Sequence, residues 1–150
     1  MKILKTDKFS EKLKIKPVRV EDLNSTNVLF NKNDLDTGTV VRFADGSYGM
    51  FVKVEDMNDM CLKKTWPKEN LFLTNDNDNY SHLCYLRLSL YSDDLTCVEY
   101  PDFCVDRLYK EQIDKSVYMS YDFIDNFYVI VHDFVIKYPK NIKRDEKIIL

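Results

Sequence analysis

The sequence predicts a mostly β domain of the α+β class, built from antiparallel strands, and three observations predict it. The stretch Leu35–Val54, LDTGTVVRFADGSYGMFVKV, holds all 3 glycines and is centred on an Asp-Gly pair. Aromatic residues make up 13% of the chain, with 10 Tyr and 9 Phe, and such side chains fit a pleated, half-buried surface. Alanine, the best helix former, occurs only at Ala44. A chain of 150 residues is read as one domain, long enough to bury about two-thirds of the surface its unfolded form exposes.

In chain order, residues 1–20 (MKILKTDKFSEKLKIKPVRV) mix lysines with isolated apolar residues and read as a loosely held basic arm. Lys14–Val20 alternates like an edge strand, where a proline is tolerated. Glu21–Leu35 reads as a short helix or turn and then loop, with Val28-Leu29-Phe30 plugging the core. Thr39–Phe43 and Tyr48–Val54 form the central hairpin around Asp45-Gly46, predicted as a two-residue type I′ turn flanked by Ala44 and Ser47. Val41 and Phe43 point to one face, and Val40 and Arg42 to the other. Gly49, inside the return strand, marks a bulge or a close backbone approach.

Glu55–Asp59 reads as a polar turn, and Met60-Cys61-Leu62 as the start of a third strand ended by Trp66-Pro67. Leu71-Phe72-Leu73 is a short apolar piece before the loop Asn75–Asn79. Tyr80–Leu90 is the fourth strand, with His82, Cys84, Leu86, Leu88 and Leu90 on one face. Ser92 is placed to cap a helical turn, and Phe103–Tyr109 alternates as a fifth strand. In residues 116–138, Val117, Tyr121, Ile124, Tyr128, Val131, Val135 and Tyr138 recur at helical spacing. That favours a helix, with an extra hairpin as the alternative because Phe127–Val131 has strong strand propensity. The tail beyond Pro139 reads as extended.

The net charge of −3 is uneven: residues 1–20 carry +5, residues 137–150 carry +3, and the middle carries −11. An acidic body argues against a duplex DNA binder working through its main surface. Residues 1–20 show no apolar signal core and no run is long enough to span a membrane, so the expected location is the cytosol. Cys61, Cys84, Cys97 and Cys104 form no C-x-x-C pair and are expected to be free, mostly buried thiols.

The hairpin stretch and YLRLSLYSDDLTCVEYPDFCVDRLYK together resemble a group of small bacteriophage-encoded proteins. Those pair a "KTG-x-hydrophobic-V…NG…G-x-V" opening with an "L-x-x-Y-x-x-D-L-T…Y-D-I-x-x-V-Y" close. The matching residues are Thr37, Gly38, Val40, Val41, Asp45, Gly46 and Gly49, then Leu88, Tyr91, Asp94, Leu95, Thr96, Val105 and Tyr109. The match covers roughly residues 35–110 and leaves out the arm and the C-terminal extension, residues 111–150. The resemblance implies a small, strongly bent antiparallel β-barrel like the Src-homology-3 (SH3) barrel, in a phage or prophage setting. It carries over no catalytic residue, and the setting suggests anti-CRISPR or other anti-defence inhibitors by analogy alone.

Glycines at positions 38, 46 and 49 fit neither a phosphate-binding loop nor a dinucleotide fingerprint. His82, alternating with core-type residues, and His132, in an aromatic-rich segment, read as structural rather than as bases. A calcium loop starting at Asp76 would need Gly at its sixth position and Glu at its twelfth, where Ser81 and Arg87 stand. No catalytic, cofactor-binding or metal-ligating residue is assigned, and a non-enzymatic protein is expected. The expected function is binding and inhibition of a host protein, such as a CRISPR effector nuclease, through acidic residues that occupy a basic groove. Glu55, Asp56, Asp76, Asp78, Asp93 and Asp94 are the candidate contact residues. The alternative is a small nucleic-acid-binding module that uses the basic arm.

Overall fold

The structure is a computed structural model and describes residues 30–60, 62–76 and 79–144, the side chains of 76 and 79–81 excepted. The arm, residues 1–20, and the calls on Val28, Leu29 and Cys61 lie outside the described residues.

Among the described residues, six strands form one antiparallel sheet: β1 (Thr39–Phe43), β2 (Tyr48–Val52), β3 (Leu71–Asp76), β4 (Asn79–Arg87), β5 (Val105–Gln112) and β6 (Asn141–Lys143). Their order is β4-β3-β2-β1-β5-β6. The protein is therefore mainly β, as expected, but among the described residues the sheet is open, with β4 and β6 as its edges; these strands do not close into a barrel. Among the described residues two helices follow β5: the single turn α1 (Lys115–Tyr118) and α2 (Phe127–Lys137).

The central hairpin pairs Val40 with Met50, Val41 with Gly49 and Arg42 with Tyr48. Its turn differs from the expectation. Only Gly46 has a positive φ (91°) there, its N–H donates to the Phe43 carbonyl, and the Phe43 N–H donates to the Ser47 carbonyl. That is a three-residue loop, a type I turn completed by a left-handed glycine. Asp45 needs no strained backbone because its Oδ1 accepts from the Ser47 N–H (2.9 Å) and Oγ (2.6 Å). Gly49 is the expected close approach: a Cβ there would lie 2.7 Å from the Phe43 ring and 2.9 Å from the Leu73 carbonyl oxygen.

The third strand is Leu71–Asp76 and not the stretch from Met60. Leu71, Phe72 and Leu73 are fully buried because β3 lies between β2 and β4 with both faces covered. Such a strand reads as a continuous apolar run rather than an alternating one. Met57 and Met60 instead sit at short 3₁₀ turns (Val54–Asp56, Asn58–Met60) and plug the core. β4 ends at Arg87, and Leu88–Leu90 form another 3₁₀ turn. His82 is exposed rather than core. Ser92 caps no helix: its carbonyl closes a tight turn with the Leu95 N–H.

The two faces of the sheet are covered differently. One face packs Val41, Phe43, Phe51, Phe72 and Leu108 against the β4–β5 connection, through Leu88, Tyr91, Leu95 and Cys97. Edge-to-face ring pairs run through it, Phe43–Phe72 at 5.7 Å and Phe72–Tyr91 at 5.2 Å. The other face packs Val40, Met50, Val52, Leu71 and Leu73 against Phe123, Phe127, Val131 and Val135. Helix α2 therefore forms where a hairpin was the alternative. Phe127, Val131 and Val135, each four residues on, meet the sheet together, and tertiary burial overrides local strand propensity. The expected stripe is only partly right, because Tyr121 and Tyr138 are exposed. No helix among the described residues is long and apolar enough to cross a membrane.

Candidate functional site

Of the six acidic residues expected to contact a partner, the four whose side chains are described fall in two separate places. Glu55 and Asp56 lie in the 3₁₀ turn after β2. Asp56 accepts a hydrogen bond from the Thr37 hydroxyl, which itself accepts from the Lys53 N–H. Nearby, Lys53 Nζ pairs with Asp36 at 2.8 Å; that hydrogen bond raises the lysine's pKa against the opposing effect of burial, with Glu55 and Asp56 adding to the rise. Asp93 and Asp94 belong to the β4–β5 connection. Asp94 Oδ1 accepts from the Thr96 Oγ1 (2.7 Å) and N–H (3.1 Å), which holds its carboxyl below the usual range, with Arg144 helping. Asp94 is thus a turn former, and the Asp94 carbonyl also accepts from Arg144 Nη2 at 2.8 Å. Asp76 is placed at the end of β3 by its backbone, and Asp78 lies outside the described residues.

Two other places gather chemistry. The first is a groove of about 350 Å³ between the end of β5, α1 and α2. Val117, Ile130, Phe134 and Tyr138 give it an apolar floor, and Glu111, Asp114 and Asp133 stand at its edge. Asp114 caps α1, its side chain accepting from the Ser116 N–H; the hydrogen bonds from Ser116 lower its pKa. Burial raises the pKa of the Tyr118 phenol under α1, with Asp56, Asp114 and Asp36 adding to it. On the outer side of α2, Val129 is 56% and Ile136 77% exposed.

The second is a cleft of about 170 Å³ between the β1–β2 turn and α2, lined among others by Ser47, Tyr48, Asn75, Tyr128 and His132. The His132 ring lies 4.0 Å from Tyr128 and meets Tyr48 edge-on at 5.0 Å. Burial lowers the His132 pKa, with Asp133 opposing. Tyr48 meets Tyr109 at 6.0 Å. Burial, and then the hydrogen bond with Tyr48, push the Tyr109 phenol up.

The aromatic wall continues into a row of cations. Tyr48 pairs with Arg42, Arg42 with Arg107, and Arg107 with Lys143, in register across β2, β1, β5 and β6. Sequence reasoning missed this row because its cations stand 65 and 36 positions apart. Among the described residues no group of three His, Cys, Asp or Glu side chains could hold a metal ion. Cys97 is buried, and Cys84 and Cys104 are half-buried free thiols. Compared with known protein families, curated proteins and solved structures, the chain shows no significant match.

Proposed function

We propose that the protein is a non-enzymatic binding module that docks on a host protein and inhibits or modulates it. The observation that carries this reading is the groove beside α2, where half-buried and exposed apolar side chains are lined by Glu111, Asp114 and Asp133 against the single cation Lys137. Exposed apolar groups rimmed by polar and mostly acidic side chains mark interaction surfaces more often than idle surface. The partner that fits is a protein with a basic, partly apolar face, such as a CRISPR effector nuclease with a nucleic-acid groove. The acidic side chains of the groove are other than those expected from the sequence: Glu55 and Asp56 lie in the turn after β2, and Asp94 serves its own turn.

The finer fold reading, a strongly bent SH3-like sheet of phage origin acting in the host cytosol, belongs to the same proposal. It rests on the resemblance over residues 35–110 and on the register shifts between β1 and β5, which bend a strand locally. The test titrates the full chain into purified bacterial CRISPR nucleases and measures both complex formation and DNA cleavage. Inhibition by the wild type that is lost in Asp114→Lys/Asp133→Lys supports the reading. A wild type that neither binds nor inhibits across a panel of such nucleases, or a charge reversal without effect, removes it.

A further inference from the structure

The sheet face that carries α2 is only partly covered. The helix packs chiefly on β2, β3 and β4, and Val40 of β1 and Tyr109 of β5 are buried in the same core, whereas on this face the side chains of Arg42 and Arg107 stay 32% and 28% exposed and Lys143 is exposed. The side chains there are identified by alternation. Val41, Leu108 and Ile142 belong to the opposite core, while Tyr48, Val40 and Tyr109 belong to this one. Arg42, Arg107 and Lys143, each one residue from a member of the opposite core, therefore stand on this face.

Three cations side by side on adjacent strands are an unfavourable arrangement, since like charges directly opposite destabilise a sheet. Asp106 compensates only in part. Its Oδ2 is 3.9 Å from Arg42 and 3.7 Å from Arg107, and both distances exceed hydrogen-bond length. Arg107 Nε is buried and has no hydrogen-bond partner, although a buried donor ordinarily has one. The arginine pair is thus short of acceptors, in a chain whose net charge is −3. One end of it adjoins Tyr48, Tyr128 and His132 at the cleft. With strands about 4.8 Å apart, Tyr48 to Lys143 spans roughly 14 Å, longer than a single phosphate group.

We propose that this row is a binding track for single-stranded nucleic acid, with Arg42, Arg107 and Lys143 contacting successive backbone phosphates and a base stacking at Tyr48. Arginine forks bind phosphate in two-point contacts, and aromatic side chains beside a basic track bind single strands with little sequence preference. Asp106 holds the arginine pair while the track is empty and gives way to phosphate oxygens when it is filled. This site is separate from the acidic groove and does not depend on the basic arm.

The test uses the full chain and a fluorescein-labelled oligothymidylate of about ten nucleotides, the site size of a small single-strand binder, read by fluorescence anisotropy. The wild type binds at about 50 mM salt with a log–log salt slope near −2, as expected for three phosphate contacts. Arg42→Gln/Arg107→Gln/Lys143→Gln weakens binding at least about tenfold and flattens that slope. Tyr48→Ala weakens binding about tenfold with the slope unchanged, because stacking releases no counterions. Asp106→Asn tightens binding, a gain that a misfolded chain cannot produce. Lys2→Gln/Lys5→Gln/Lys8→Gln/Lys12→Gln, in the arm, leaves affinity within about threefold of wild type. No binding by the wild type overturns the proposal, as does unchanged affinity in the triple variant or weakening by Asp106→Asn. ATP or a DNA duplex bound as tightly as the single strand overturns it as well.

Discussion

The two faces of the sheet are built from the same strands but finished differently. On the first, the connection from Leu88 to Cys104 lies against Phe43, Phe51 and Phe72 and seals them, and the Tyr91 hydroxyl donates to the Phe103 carbonyl at 2.6 Å. On the second, a single helix packs chiefly on β2, β3 and β4, and Arg42 and Arg107 on β1 and β5 keep partly exposed side chains. Its margins hold both surfaces that gather chemistry, the acidic groove and the basic row. A sealed face can only contribute stability. A face with a partial lid exposes side chains held in fixed register, and such positions can present charge to a partner.

Substitutions on the two faces test that contrast. The largest effect is expected for Phe72→Ala, which removes a fully buried ring with three ring neighbours and lowers unfolding free energy by about 3–5 kcal/mol, measured by urea denaturation. Gly49→Ala forces a methyl against the Phe43 ring and the Leu73 carbonyl oxygen and costs about 1–3 kcal/mol. Val131→Ala, under the lid, costs about 1.5–3 kcal/mol; a loss as large as that of Phe72→Ala would mean that the helix-covered face is as tightly sealed as the other.

Smaller still is Asp94→Asn, which weakens the turn with Thr96 by about 1–2 kcal/mol at neutral pH. The folded carboxyl lies below its unfolded value of 3.8. Its contribution is therefore fully present above that value and is lost as pH falls through the lower folded one. The stability gap between wild type and Asp94→Asn should close in strong acid; a gap independent of pH there would mean that the carboxylate charge is not what holds the turn. The smallest effect is expected for Ile136→Glu on the outer side of α2. It should change stability by no more than about 0.5 kcal/mol and leave capture of a partner nuclease by the groove intact, since Ile136 does not line it. Loss of stability instead would place Ile136 in the core.

Legibility followed the range of the signal. The hairpin, the approach at Gly49, the alternation of β1 and β5 and the helical period of α2 are local patterns, and all are present in the structure. The third strand was misplaced because Leu71-Phe72-Leu73 carries no alternation when both of its faces are buried. Asp94 and Asp56 looked like solvated contact residues because nothing in the sequence brings Thr96 or Thr37 to their oxygens in advance. The charge count was misleading in the same way: a middle segment of −11 still carries a cationic row.

The sequence by itself determined the β-rich class, the central Asp45-Gly46 turn and the pairing of β1 with β2, because turn chemistry and side-chain alternation act over a few residues. Only the tertiary structure decided that the described strands form an open sheet, that α2 packs on one of its faces, and that Arg42, Arg107 and Lys143 stand abreast. Strand register is a long-range choice, made by how two cores bury their apolar faces at once. A shift of one residue in β5 or β6 would turn the row to the other side of the sheet.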